Sequence, residues 1–282
     1  MNASFRLLIS VTALSLPVAA LPAVAADYDP PIMVDPVEEV PVEVGSGWYL
    51  RGDIGYNFSV EADGTFDYLT IDPITGVYSP NSFETGSLDE NLTYGIGFGY
   101  HFTDMIRADF TFDGYKSDFD GTTSSPLPCV DPAVFPAFAG TGCRTEDGAT
   151  ASVLNFMING YVDLGTYVGL TPYVGGGLGY SYVDWGSLSE STFCTGATCP
   201  QAFLGSGEVE GETSWRFAYA FMAGLAYDIT NNMKVDLGYR YRAIDGGPMF
   251  VFNPATGATG TQGEDPGFTT HEVRLGVRYD LW

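Results

Sequence analysis

The sequence predicts an all-β protein: an eight-stranded antiparallel up-and-down transmembrane β-barrel with long external loops. Three observations predict this fold class. Long segments alternate between apolar and polar residues with a period of two, which is the period of a β-strand. The connections between these segments are alternately short and long, as in transmembrane barrels. After the N-terminal segment, the chain has no run of about 18 uncharged apolar residues that could form a spanning helix.

The N-terminal part of the chain is predicted to lie outside the barrel. A basic residue, an apolar run from Leu7 to Ala20 and small residues after it indicate a secretory signal peptide over residues 1–26. Residues 27–46 are rich in proline and acidic residues and have no usable period, which favours a flexible periplasmic leader. The barrel itself is therefore expected over residues 47–282.

The segment from Ser214 to Tyr241 shows the clearest alternation. Every second residue from Trp215 to Ile229 is apolar or aromatic, and the residues between are mostly small or charged. Strands of this length exceed the roughly 5–6 residues usual in soluble sheets and suit tilted strands that cross a bilayer. The same criteria predict eight strands in all: Trp48–Val60, Asn91–Phe102, Ile106–Tyr115, Ser152–Leu164, Thr171–Tyr182, Trp215–Ile229, Met233–Arg242 and Thr270–Trp282.

The connections after the second, fourth and sixth predicted strands are short. The four long connections are predicted over Glu61–Glu90, Lys116–Ala151, Val183–Ser214 and Ala243–Thr269. Apolar runs inside them, at Tyr68–Ile71 and Met249–Phe252, are expected to extend hairpins beyond the membrane. A ten-stranded barrel that includes these runs is the less favoured alternative.

Side-chain size and charge indicate which face of each strand points inward. The polar face is rich in small residues, which suit a narrow interior, and the apolar face carries bulky aromatic residues, which suit lipid. Of the eleven Lys and Arg residues, eight lie on the polar face and none on the apolar face, where an Arg near the midplane would cost roughly 2–4 kcal/mol. Eight acidic residues share that face. The predicted lumenal charge network is Arg51, Asp53, Arg107, Asp109, Asp113, Asp163, Arg216, Asp228, Lys234, Asp236, Arg240, Arg242, Glu272, Arg274, Arg278 and Asp280.

A barrel of eight strands is just wide enough to be filled by its own side chains. Equal numbers of acidic and basic residues in so narrow a lumen favour packed ion pairs over an open pore. Removal of one partner would leave a buried charge uncompensated. We therefore expect Arg240→Ala or Asp236→Ala to lower the heat-denaturation midpoint of the barrel.

The four cysteines agree with export to an oxidising compartment. Four cysteines allow three pairings. The pairs Cys129–Cys143 and Cys194–Cys199 are favoured because each closes a loop within its own segment. Free thiols are the alternative.

The formal net charge of −24 argues against nucleic acid as a partner, because phosphates require Lys and Arg. Acidic clusters fall in the predicted loops, and we interpret them as a solvated surface. Weak capture of Ca²⁺ or Mg²⁺ is the alternative, but no spacing matches a calcium loop, so no metal site is predicted. The clusters are Asp89–Glu90, Glu146–Asp147, Glu208–Glu212 and Glu264–Asp265.

The sequence offers no catalytic constellation and no cofactor motif. His101 is expected in the lumen at the short-turn end, and His271 is expected to point to lipid at the opposite end, so the two histidines cannot cooperate. Small-barrel lipid A deacylases use a lipid-facing His near a Ser, whereas Glu272 and Val273 follow His271. The glycine runs lack the strand–loop–helix context of a phosphate loop.

Four segments of the predicted barrel carry a family resemblance: Gly47–Gly55, Thr171–Gly179, Met222–Asp228 and Glu272–Tyr279. They resemble the small outer-membrane β-barrels of alphaproteobacteria, which are described as immunogenic or opacity-like surface proteins and as porins. The resemblance implies one barrel in the outer membrane of a Gram-negative bacterium, with roles in surface antigenicity, adhesion or envelope integrity. Members generally end in a Phe two residues after a Tyr; here Tyr279 and Leu281 hold that register and Trp282 is an added aromatic.

These observations predict a surface protein with a largely closed, charge-paired lumen and anionic, disulfide-braced loops. A narrow channel for ions or small solutes is the alternative, and a lipid-modifying enzyme that depends on His271 is a third class. We expect a monomer whose partners are outer-membrane lipid, lipopolysaccharide and the outer-membrane assembly machinery. The sequence does not name the partner of the loops.

Overall fold

The computed structural model describes residues 47–71, 75–130, 132–254 and 257–281. The predicted signal peptide and leader, residues 1–46, lie outside the described residues, as does Trp282. No helix within the described ranges is long and apolar enough to cross a membrane.

The described residues form thirteen β-strands and one short 3₁₀ turn, Pro136–Phe138. The strands are β1 (Trp48–Ala62), β2 (Asp67–Ile71), β3 (Tyr78–Ser82), β4 (Thr85–Leu88), β5 (Asn91–His101), β6 (Ile106–Ser125), β7 (Gly142–Asp163), β8 (Leu170–Trp185), β9 (Leu188–Thr195), β10 (Phe203–Val209), β11 (Thr213–Asp228), β12 (Met233–Val251) and β13 (Thr261–Asp280).

Eight of these strands close into an antiparallel ring. Around the ring the order is β1, β5, β6, β7, β8, β11, β12 and β13, and β13 pairs with β1. Every neighbour in the ring is also the next long strand along the chain, which is the up-and-down connectivity. The predicted eight-stranded antiparallel barrel is therefore confirmed.

Alternation along each strand separates the two faces of the ring. In β1, the exposed fraction of Leu50 is 51%, whereas that of its neighbour Arg51 is 7%. The outer face carries a continuous band of exposed apolar and aromatic residues, and the inner face carries the charged ones. A band of bulky apolar residues around the outside of a closed ring is typical of a transmembrane barrel, so this band is the lipid-facing surface.

The strands are longer than the sequence predicts. β6 continues from the predicted end at Tyr115 to Ser125, and β7 begins at Gly142, ten residues before the predicted start at Ser152. Together they form an unbroken ladder from Ile106–Val162 to Ser125–Cys143. β12 and β13 are extended in the same direction, to Val251 and from Thr261. These parts of the predicted long loops are in fact ordered strands.

Both apolar runs within the predicted loops become part of the sheet. Tyr68 lies in β2, which pairs with β3 and with β13. Met249 and Phe250 lie in β12 and are buried. The expectation that these runs extend hairpins beyond the lipid-facing band is confirmed. The other three short strands line the same end: β4 pairs with β6, and β9 pairs with β7 and β10.

Two kinds of side chain fill the interior, one above the other. We term the end of the barrel with the short turns the short-turn end. A layer of ion pairs lies next to it, level with the lipid-facing band. We call this the ionic layer. Towards the long-loop end the interior is apolar, and we call that region the apolar cap. Its members are Phe66, Phe83, Phe119, Trp185, Leu188, Val209, Met249, Phe250 and Phe268.

Candidate functional site: the barrel interior

The densest part of the ionic layer is a quartet of two arginines and two carboxylates. Arg240 Nη1 lies 2.8 Å from Asp113 Oδ1, and Arg240 Nη2 lies 2.5 Å from Glu272 Oε2. Arg242 reaches the same two carboxylates, at 2.9 and 3.4 Å. All four side chains are almost fully buried. A side chain at Gly55 would overlap Glu272, so the glycine permits the close approach of the carboxylate.

A second group lies nearer the short-turn end. Arg51 binds Asp53 through Nη2 at 2.8 Å and Asp109 through Nη1 at 2.6 Å. Arg51 Nη1 also donates to the hydroxyl of Tyr161 at 3.0 Å. Arg274 approaches Asp53 at 3.8 Å. Because one arginine bridges two carboxylates on different strands, this group ties β1 to β6 across the lumen.

Two further arginines complete the buried part of the layer. Arg107 Nε lies 3.1 Å from Asp163 Oδ2, and its guanidinium sits 3.9 Å from the ring centre of Tyr161. Arg278 Nη2 lies 3.3 Å from Asp236 Oδ1. Each of these two arginines has only one carboxylate partner, and its guanidinium also contacts the face of an aromatic ring.

Partly exposed pairs mark the rim at the short-turn end. Lys234 Nζ lies 2.5 Å from Asp228 Oδ1, and both side chains are partly exposed. His101, predicted to be lumenal, approaches Asp280 to 3.4 Å. Exposed pairs of this kind contribute little to stability, typically below about 1 kcal/mol.

Arg216, like Asp280, has a partner that lies outside the predicted network. It forms a 2.6 Å ion pair with Asp265 and donates to the carbonyl of Pro248. The Trp185 indole N–H also donates to Asp265, at 3.2 Å. The interpretation of Glu264–Asp265 as a solvated surface cluster is therefore wrong for Asp265, which is buried. β13 continues through this segment, so neighbouring residues point to opposite faces.

The structure brings every one of the sixteen predicted network residues into an ion pair. Fourteen pair within the predicted set, whereas Arg216 pairs with Asp265 and Asp280 with His101. The described pairs form two clusters and five isolated pairs along the barrel axis.

The apolar cap closes the interior above the quartet. Phe66 and Phe83 pack against Phe119, with ring centres 4.7 and 5.5 Å apart. Trp185 packs edge-on against Phe119 at 6.0 Å and against Phe250 at 5.9 Å. The cap is not predicted from the sequence because its members come from segments interpreted as loops.

Both predicted disulfides are present. Cys129 bonds to Cys143 and Cys194 bonds to Cys199. Cys143 in β7 also stands opposite Cys194 in β9, so the two bridges lie side by side at the long-loop end. They brace the same corner of the molecule.

His101 and His271 lie far apart, at opposite ends of the membrane-embedded barrel. His271 accepts or donates a 2.6 Å hydrogen bond with the Tyr239 hydroxyl and packs among Phe58 and Tyr241. These are the contacts of an interfacial aromatic cluster. Among the described residues, no group of three or more His, Cys, Asp or Glu side chains could hold a metal ion.

Comparison with known proteins decides the family. The family model described as "Outer membrane protein beta-barrel domain" matches residues 11–280.

The chain belongs to the outer membrane β-barrel family.

Members of this family lie in the outer membrane of Gram-negative bacteria, and that is the location of this protein. In such barrels the short turns face the periplasm and the longer loops face the outside. The ionic layer is therefore the membrane-embedded, periplasmic part of the interior, and the apolar cap is its extracellular part.

Several family members are similar along most of their length. An uncharacterized protein of Brucella melitensis is 38% identical over 282 residues, which cover 92% of this chain and 93% of that protein. A protein of Rickettsia prowazekii, provisionally named an adhesin, is 24% identical over 240 residues, which cover 84% of this chain and 89% of the relative.

Solved structures similar to the chain are small outer-membrane barrels. Neisserial surface protein A has 15% identity and a TM-score of 0.39, over 84% of this chain and 98% of that one. OprG from Pseudomonas aeruginosa has 15% identity and a TM-score of 0.41, over 84% of this chain and 97% of that one.

Proposed function

We propose that this outer-membrane β-barrel is closed to solutes and acts in envelope integrity and surface interaction. The observation that carries the proposal is that two different layers of side chains, one above the other, block the same interior. Paired charges fill the membrane-embedded part, and buried aromatic side chains fill the extracellular part. A solute would have to displace both.

The ionic layer by itself opposes conduction. A permeating ion must replace its hydration shell with fixed groups in the pore. Here the carboxylates of the quartet are already occupied by arginines at 2.5–3.4 Å. Freeing one carboxylate would leave an arginine uncompensated in a low-dielectric interior, which is costly. These contacts support a closed barrel over the alternative of a narrow channel.

The extracellular part supports a role at the surface. Two disulfides brace its tips, and most of the acidic residues outside the ionic layer lie there or in the N-terminal leader. The provisional adhesin name belongs to the Rickettsia relative, and we extend a surface-interaction role to this chain as part of the proposal. The proposal includes outer-membrane lipid, lipopolysaccharide and the assembly machinery as partners, a monomeric state, no cofactor and no enzymatic activity.

Planar-bilayer recording on purified protein tests the closed barrel. The wild-type chain should show no stable open state. A matched variant, Phe119→Ala with Phe250→Ala, removes two large members of the apolar cap and leaves the ionic layer intact. A conductance that appears only in this variant would assign the seal to the cap, and silence in both would assign it to the ionic layer. A stable open state in the wild type would overturn the proposal.

Loss of the gene tests the surface role. A strain without it should take up large antibiotics more readily and adhere less to host surfaces, and the wild-type gene should restore both properties. Unchanged permeability together with unchanged adhesion would refute the surface role independently of conductance.

A further inference from the structure

A cavity of 120 Å³ opens in the extracellular part of the molecule, beside the apolar cap. At about 30 Å³ per water, this is roughly the volume of four water molecules. Seven strands and one short connection contribute to its wall. The lining residues are Tyr68, Phe83, Thr123, Thr145, Asp147, Leu188, Glu190, Val209, Phe250, Gln262 and Gly263.

Two carboxylates face each other across one wall of this cavity. Asp147 of β7 stands directly opposite Glu190 of β9 in the antiparallel register. The exposed fraction of Asp147 is only 6%, and its Oδ1 has no hydrogen-bond partner. Like charges placed directly opposite each other on neighbouring strands destabilise the pair. The prediction that Asp147 lies on a solvated surface is wrong, because β7 continues past this residue and its side chain is buried.

Among the residues that the structure describes, no Lys, Arg or His forms an ion pair with either acid. None of the lining residues is Lys, Arg or His. The nearby Arg144 lies on the outer face of β7, where it pairs with Glu146 and both side chains are about half exposed. By contrast, the carboxylates of the ionic layer each have a basic partner. The cavity is thus an anionic site with a buried Asp147 and a half-buried Glu190, and none of its lining residues is a basic partner for either.

The rest of the wall favours an organic cation over a metal ion. Phe83 and Phe250, together with Leu188 and Val209, form an apolar side, and the Tyr68 ring packs 5.0 Å from that of Phe83. Aromatic rings attract organic ammonium groups. Ca²⁺ takes 6–8 oxygen ligands, whereas this site offers two carboxylates and a few neutral oxygens. Thr123 and Thr145, hydrogen-bonded to each other at 3.1 Å, and Gln262 supply further acceptors.

We propose that this cavity binds a small primary alkylammonium ion. The ammonium group would lie between Asp147 and Glu190, and the alkyl chain would lie against the apolar side. The proposal is independent of whether the barrel conducts, since the cavity lies outside the ionic layer.

Binding should depend on pH. Burial raises the pKa of Asp147 to about 7, and Glu190 contributes to the increase. Burial also raises the pKa of Glu190. Tyr68 is the remaining titratable group in the wall, and burial raises its pKa too. An ammonium ion binds the ionised carboxylates, so its affinity should rise with pH and level off above about pH 8.

Ligand-observed NMR on the full-length protein in detergent micelles tests the proposal, with n-butylammonium chloride as the probe. At pH 8 the wild type should bind the probe saturably, and affinity should fall at least about tenfold at pH 5. Asp147→Asn should weaken binding at least about tenfold. Glu146→Gln removes a carboxylate from the adjacent position on the outer face, and this matched control should bind like the wild type.

Each outcome bears on the proposal. Selective loss in Asp147→Asn would support it. Equal loss in both variants would mean a diffuse surface attraction and would overturn it. Absence of saturable binding by the wild type would also overturn it, as would displacement of the probe by equimolar CaCl₂, which would indicate a metal site. The heat-dependent gel shift of each variant shows that it is folded before binding is measured.

Discussion

The ionic layer and the apolar cap are filled by the same strands in opposite ways. In β6, the lipid-facing Phe110 and Phe112 alternate with the inward Asp109 and Asp113. Beyond Lys116, Phe119 is the residue that points inward and its neighbours Asp118 and Asp120 are exposed. The polarity of the strand thus inverts while its pairing continues. The surroundings outside the barrel decide the arrangement. In the ionic layer the apolar face of each strand points outward to lipid, and in the apolar cap it points inward to the protein interior.

The largest effect should come from removal of one charge from the quartet. Arg240→Ala leaves Asp113 and Glu272 to share Arg242, and we expect a loss of about 3–5 kcal/mol, because a buried charge becomes uncompensated. The heat-denaturation midpoint on gels measures this loss. Asp236→Ala, which breaks a single 3.3 Å contact, should lower the midpoint less.

A charge-balanced double variant provides the control for this prediction. Arg240→Met with Glu272→Met removes one charge of each sign and keeps the Arg242–Asp113 pair. It should recover most of the midpoint lost in Arg240→Ala. A double variant as unstable as the single one would show that shape, and not charge balance, holds the ionic layer.

Truncation within the apolar cap should have a somewhat smaller and more local effect. Met249 is fully buried, and Met249→Ala should cost about 2–3 kcal/mol through a cavity in the extracellular core. We expect faster cleavage of the extracellular strands by an added protease, while the membrane-embedded ring keeps its resistance. If the extracellular strands and the membrane-embedded ring lost protease resistance together, the two regions would unfold as one unit.

Reduction of the disulfides should also act on the extracellular region alone. The Cys129–Cys143 bridge spans 14 residues, so its loss should cost up to about 3 kcal/mol in the chain-entropy account. The Cys194–Cys199 bridge spans only 5 residues and should matter less. Protease mapping with and without reductant, on Cys129→Ser and on Cys194→Ser, separates the two contributions. A lowered heat-denaturation midpoint of the membrane-embedded ring would contradict the expectation that the disulfides stabilise the extracellular region alone.

The smallest effect should be a pH dependence confined to the extracellular region. The pKa of Asp147 is raised to about 7 from its ordinary value near 3.8, so the folded state binds the proton more tightly than the unfolded state does. This contribution to stability is present at low pH and is lost as pH rises to about 7. Asp147→Asn should therefore raise protease resistance at pH 8 and flatten its pH profile between 5 and 8. Glu146→Gln should leave that profile unchanged.

The sequence predicts the ionic layer better than it predicts the apolar cap. In the ionic layer, large outward residues and small or charged inward residues give a strong period of two. The eight strands, the lumenal face and the network residues all follow from that pattern. Strand order also follows, because short turns leave neighbouring strands no other partner.

The extracellular extensions do not show in the sequence because their alternation is weak. Residues 116–125 read KSDFDGTTSS, in which Phe119 is the one large apolar residue. The ladder with β7 holds this segment in the sheet, and a pairing between distant segments leaves no local periodicity. For the same reason, Asp147 and Asp265 look like members of surface clusters, although each is the inward residue of an extended strand.

The long β6–β7 ladder also sets how far the protein stands above its membrane. From the Ser117–Ala151 pair to the Ser125–Cys143 pair, at about 3.3 Å per residue, the ladder rises roughly 25 Å along the strands. The tip beyond it exposes Leu127, Val134 and Phe135, and the Cys129–Cys143 bridge fastens it to β7. A protein too bulky to approach the lipid headgroups would therefore still reach this tip.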